Sequence, residues 1–128
     1  MAQNIPVDLP ELGQPFSWAT RAAGVVFTAH GPVHPDGTIE TGHIDAQADL
    51  TFANLRRTLE SAGLSLADVA QVLIYLTELD DMRAVDNVYR TYFERPYPNR
   101  STVVVKSLAV PGMRIEIVAY AAPASSSD

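Results

Sequence analysis

Late in the chain, one arginine and one glutamate each stand among apolar neighbours. The stretch Asn99-Arg100-Ser101-Thr102-Val103-Val104-Val105 carries a guanidinium just before a run of valines, and Met113-Arg114-Ile115-Glu116-Ile117-Val118 carries a carboxylate inside an otherwise apolar strand pattern. A guanidinium stays charged at every working pH and matches a carboxylate with two parallel hydrogen bonds. A carboxylate on a half-apolar surface has its pKa raised toward the working range, where it can take a proton from water. Brought together, Arg100 and Glu116 would bind an anion and activate a water. Thr102 points to the same side of its strand as Arg100 and offers a hydroxyl to a bound molecule. Plainer readings stand beside these. Arg100 could cap a strand end or pair with a surface carboxylate, Glu116 could pair with Arg114 of a neighbouring strand or chain, and Thr102 could be only a β-branched strand residue.

The elements that must position these groups are legible in the apolar pattern. The valines and isoleucines around Arg100 and Glu116 favour strands, and Pro111-Gly112 between them suggests a strand–turn–strand hairpin. In the second strand Met113, Ile115, Ile117 and Ala119 point one way, and Arg114, Glu116, Val118 and Tyr120 the other. Upstream, residues 1–14 hold Pro6, Pro10 and Gly13 and are expected to be irregular. Phe16 to Ala22 and Val25 to Ala29 read as a hairpin about Gly24, followed by a loop with a tight turn at Pro35-Asp36-Gly37. Ala48, Phe52, Leu55, Leu59 and Ala62 give helical spacing over Asp45–Ala62, ended by Gly63. Ser65 to Asp68 is a short turn, and Val69 to Thr77 is a nearly continuous apolar strand, consistent with burial on both faces. A second helix spans Asp81–Phe93 with Asp80 as its expected N-cap. The order β-β-α-β-α-β-β predicts an α+β fold with one sheet and both helices on one face. The other face needs a cover, and self-association is the simplest one.

Composition narrows the function. The 128 residues read as a single domain, with Ala124 to Asp128 as a frayed tail. A net charge of −6 disfavours general nucleic-acid binding, and the basic doublet Arg56-Arg57 reads as a solvated helix face. The absence of cysteine rules out disulfides and thiolate chemistry and fits a reducing cytosol; no signal-peptide pattern and no membrane-length apolar run is present. His30, His34 and His43 lie in a Pro/Gly loop without metal-ligand spacing. Tyr89, Phe93 and Trp18 read as packing residues. No glycine-rich phosphate loop and no Ser/His/Asp constellation is evident.

Over about Phe16 to Ala122 the chain resembles the RidA/YjgF family of enamine/imine deaminases. The resemblance is carried by Ala46-Gln47-Ala48, Asn54-Leu55, Ala62-Gly63-Leu64, Val69 to Leu79 with Asp81-Met82, Val85, Tyr89 and Tyr92-Phe93. Its most specific piece is Pro98-Asn99-Arg100-Ser101-Thr102-Val103 with Ile115-Glu116-Ile117. It implies a chorismate mutase-like fold, a homotrimer whose sheets form a central barrel, and active sites between subunits. It also implies hydrolysis of 2-imino or 2-enamino acids to 2-oxo acids and ammonia, with no metal or organic cofactor. Arg100 would hold the substrate carboxylate and Glu116 would activate water, with Thr102, Phe16, Ala29, His30 and Gly31 at the substrate. The chain departs from the family pattern at Phe16 for tyrosine, Ala29 for serine, His30 for glycine and Thr102 for cysteine. Two hydroxyls are thereby removed from the implied pocket and a bulky titratable ring is added, which bears on the substrate. Three other functions stay open: deamination of a larger catabolic enamine such as an aminomuconate, a non-catalytic binding trimer, and ribonuclease activity, against which the acidic balance argues.

Overall fold

The stripe Ala48, Phe52, Leu55 and Leu59 is fully buried along the first helix, as its spacing requires. The computed structural model describes residues 2–124, so the expected frayed tail lies, from Ser125 on, outside the described residues. The elements are β1 (Gln3–Asn4), β2 (Ala19–Ala22), β3 (Val25–His30), α1 (Ile44–Ser61), β4 (Val69–Leu76), α2 (Met82–Tyr92), β5 (Asn99–Val104) and β6 (Ile115–Ala121). Short 3-10 turns at Leu66–Asp68 and Leu79–Asp81 lead into β4 and α2. Residues 23–24 close the β2–β3 hairpin with Ala23 at φ 52° and Gly24 at φ 78°. Two consecutive positive φ values match the twist of the flanking strands.

One six-stranded sheet has the order β1-β2-β3-β6-β4-β5. The core lies between one of its faces and both helices. Val72, Ile74 and Leu76 of β4 and Ile115, Ile117 and Ala119 of β6 pack against α1 and against Val85, Tyr89 and Phe93 around α2. This is the expected α+β architecture with the helices on one face.

Four expectations are corrected. The strands around Arg100 and Glu116 are not paired as a hairpin: β5 pairs parallel to β4, and β6 pairs antiparallel to β3 and β4. The turn at Pro111-Gly112 exists, with Gly112 at φ 90°. It sits in a connector of residues 105–114, long enough to carry the chain past β4, whereas α2 supplies the crossover a parallel β4–β5 pair needs. Second, β4 is buried on one face only; Leu73 and Tyr75 on the other are half-open. Third, the first hairpin strand begins at Ala19, because Phe16 to Trp18 peel away from the sheet, and Gln3–Asn4 adds a short edge strand within the otherwise irregular start. Fourth, Asp81 occupies the N-cap of α2 and caps nothing with its side chain. Its carboxylate instead accepts from Arg114 Nε at 3.0 Å and Nη2 at 2.5 Å. A partner charge outweighs a cap for a buried carboxylate.

Candidate active site

Glu116 sits on β6 opposite Tyr75 of β4, which is itself opposite Val103 of β5. Residues opposite one another share a face, so all three point to the open side of the sheet. This is the face assigned to Glu116 by alternation. Its carboxyl group is half-buried, and desolvation raises its pKa above the ordinary glutamate value. No other cause contributes, so neither a cation nor a hydrogen bond among the described residues holds the charged form.

Glu116 lines a cavity of about 280 Å³ together with Phe16, Trp18, Ala29, His30, Gly31 and Met113. Most of the remaining wall is apolar, from Leu12, Val33, Ile39 and Val110. Each wall is placed for a local reason. Phe16 and Trp18 lie in the segment that has left the sheet, held by a bond from Trp18 Nε1 to the Pro10 carbonyl at 3.0 Å. His30 ends β3, where its ring stacks on Trp18 with centroids 5.6 Å apart and planes 9° apart. Trp18 in turn meets the ring of Phe16 edge-on at 4.8 Å. Asn54 of α1 donates to the carbonyls of Gly31 at 3.2 Å and Val33 at 2.9 Å, fixing the chain just after His30. A Cβ on Gly31 would come 2.5 Å from the flexible tip of Met113, so glycine leaves room for that side chain. The connector wall is pinned by Gln47 of α1, which accepts from the Arg114 backbone N–H at 2.8 Å and donates to the Gly112 carbonyl at 3.0 Å.

The His30 imidazole is fully buried, and neither ring nitrogen has a hydrogen-bond partner among the described residues. Burial lowers its pKa to about 3, so the ring is neutral at working pH. His34, by contrast, meets Glu40 Oε1 at 3.1 Å.

Arg100 and Thr102 are elsewhere. They lie opposite Val72 and Ile74, whose side chains face the helices. Arg100 Nη2 is 2.6 Å from Asp86 Oδ1 of α2, its Nε donates to Thr102 Oγ1 at 2.9 Å, and its guanidinium lies 4.8 Å above the Tyr89 ring. The plainer reading, an arginine paired with a carboxylate, therefore describes its resting contacts. Neither Nη1 nor Nη2 donates a hydrogen bond among the described residues, which leaves that edge of the guanidinium for an incoming carboxylate. A second cleft, lined by Asp86, Tyr89, Arg90, Tyr97, Pro98 and Arg100, opens there. Of the seven sequence-identified site residues, five thus line one cavity, and two lie across β4 on the opposite face. Trp18 packs, as expected, against Phe16 and His30, and also forms a cavity wall. Asn54, Gln47 and Met113 are site residues that the sequence does not single out; the approach of the Met113 tip to Gly31, 82 positions away, leaves no signal along the chain.

The chain matches the family model described as Endoribonuclease L-PSP over residues 8–123. It is 34% identical over 123 residues to "Protein mmf2, mitochondrial" of Schizosaccharomyces pombe, covering 93% of this chain and 98% of that one. It is 30% identical over 105 residues to a 2-iminobutanoate/2-iminopropanoate deaminase of Dermatophagoides farinae, covering 80% and 81%. Among solved structures, RidA from an Antarctic Psychrobacter superposes with a TM-score of 0.87 at 29% identity, covering 94% of this chain and 99% of that one.

Proposed function

The chain belongs to the endoribonuclease L-PSP family, the RidA/YjgF proteins, and on that premise we propose that it hydrolyses reactive 2-imino and 2-enamino acids to 2-oxo acids and ammonia. The observation that carries the reading is Glu116: a half-buried carboxylate, its pKa raised by desolvation, at the wall of a half-open, mostly apolar cavity. An iminium carbon is already electrophilic, so the chemistry asks for a positioned water and a base of matched pKa. Glu116 takes a proton from the water as its oxygen bonds to the imine carbon. It returns that proton to the nitrogen of the carbinolamine; as the C–N bond breaks, the hydroxyl proton passes to Glu116 and on to the departing ammonia, leaving the 2-oxo acid and ammonium. Arg100 holds the substrate carboxylate through its unused N–H edge and so fixes which carbon faces the water.

Arg100 and Glu116 face opposite sides of the sheet within one chain. The reading therefore requires association in which one chain's Arg100 approaches another's Glu116 cavity. A homotrimer with sites between subunits, as the family resemblance implies, meets that requirement. Thr102 fixes the Arg100 fork through Nε. We place the protein in the cytoplasm, on the reducing character that a cysteine-free sequence fits; a mitochondrial location, carried in the name of the Schizosaccharomyces relative, is the competing one.

The test is a coupled assay in which an amino-acid oxidase generates 2-imino acids in situ and imine loss is followed. Wild type is expected to accelerate loss, Glu116→Gln to lose at least about 100-fold in kcat, and Arg100→Ala to lose about 10-fold or more in kcat/KM. Wild-type protein no faster than buffer sinks the reading and favours a non-catalytic binding role on the same fold. The cavity has room for more than a methyl or ethyl side chain, so the enzymatic reading extends to larger imines and enamines, which are supplied directly in place of the oxidase-generated ones. For ribonuclease activity, the name borne by the family model, the net charge of −6 is unfavourable.

A further inference from the structure

We infer that the cavity beside Glu116 is a subsite for a flat aromatic side chain, so that the favoured substrates are aryl-bearing 2-imino acids rather than small aliphatic or dicarboxylic ones. The inference rests on the deaminase reading for its reacting end, but the subsite itself is argued from the walls. The first argument is size. A cavity of about 150 Å³ with apolar walls accommodates benzene; this one has about 280 Å³, room for a ring, its linking carbon and the reacting centre. A methyl or ethyl side chain would leave most of it without contacts.

The second argument is charge. Glu116 is the only ionised side chain among the lining residues, and no lysine or arginine joins it. A second substrate carboxylate would be buried without a counter-ion and next to a like charge. The third is shape. Phe16, Trp18 and His30 form a continuous aromatic wall, edge-on and then stacked, and such a wall favours a ring over a branched chain.

Trp18 is the chain's single tryptophan and lines the cavity, so its fluorescence reports occupancy directly. Wild-type protein is titrated with 3-phenylpropanoate and with butanoate, stable carboxylates that differ in the ring. The expected result is saturation of the Trp18 signal by 3-phenylpropanoate at about one-tenth the concentration butanoate needs, or less. Val110→Phe, which narrows the cavity from the half-exposed connector, is expected to bring the two acids together. In parallel, imines are generated from phenylalanine and from alanine, with kcat/KM expected to favour the aryl imine by about tenfold or more. Equal titration of Trp18 by the two acids overturns the subsite, and so does an unchanged preference in Val110→Phe, whatever the turnover. Preferred binding of the aryl acid without hydrolysis of either imine leaves the aryl subsite standing and removes the deaminase reading instead.

Discussion

At the scale of the residue, two groups in the same cavity are shifted in ways that separate on a pH axis. His30 is held neutral down to about pH 3, whereas in the unfolded chain it takes up a proton near 6.5. Between those values the unfolded state binds more protons than the folded one, so stability falls as pH falls, by at most about 1.4 kcal/mol per unit. Glu116 works in the opposite sense. Its raised pKa makes the folded state the better proton acceptor above the free glutamate range, so its desolvation cost at neutral pH is relieved on acidification. Urea midpoints of wild type and His30→Phe at pH 7, 5.5 and 4.5 cancel the Glu116 contribution, which both share. The wild-type midpoint should fall more steeply; parallel curves would mean that the buried ring is protonated or solvated. In turnover, the acid limb of kcat/KM is expected above the ordinary glutamate value of about 4.3. The identities of Arg100 and Glu116 as lone charges in apolar strands were open to a reader of the sequence, and so was the face Glu116 points to. That Arg100 spends its resting contacts on Asp86 and Tyr89 was not, because both belong to a helix whose rotation over the sheet is set by packing.

At the scale of the element, α1 does more than cover the sheet. Gln47 and Asn54 are buried polar residues on its apolar side, and each ties down a loop that walls the Glu116 cavity. Replacing Gln47 by leucine keeps the volume but strands the Arg114 N–H and the Gly112 carbonyl; a loss of about 3 kcal/mol is expected in chemical denaturation, from about 1–3 kcal/mol for each orphaned group. A loss well below 1 kcal/mol would mean that the connector re-forms its bonds with water. Helix and strand positions followed from period because burial on one side leaves a repeating trace in the sequence. Pairing left no such trace. The valine run of β5 and the isoleucines of β6 both suit either edge of β4, and a local turn at Pro111-Gly112 states that the chain reverses, not which neighbour it meets. The continuous apolarity of β4 was read as burial on both faces; the structure buries Val72, Ile74 and Leu76 and leaves Leu73 and Tyr75 half-open, on the side where Val103 and Phe27 are exposed.

At the scale of the whole molecule, the proposed function needs association to bring Arg100 to Glu116 and to cover that half-open face, and the family resemblance implies three copies. Light scattering after size exclusion is expected to give three times the 13.9 kDa of one chain. Leu73→Lys, which puts a charge at the centre of the face, is expected to dissociate the assembly and to abolish imine turnover without unfolding the chain. A monomeric variant with full turnover would place both reacting groups within one chain and contradict the arrangement. The sheet order has a different consequence, in the time domain of protein synthesis. β6 joins β3 to β4, yet it is translated after every other strand. Until it emerges, the nascent chain holds two unjoined half-sheets, β1-β2-β3 and β4-β5, each with a bare apolar edge. Those are the conditions under which emerging chains pair with one another or with chaperones. A ribosome stalled between β5 and Ile115 therefore presents sticky fragments instead of a partly finished fold, and the emergence of β6 is the step that makes this sheet safe.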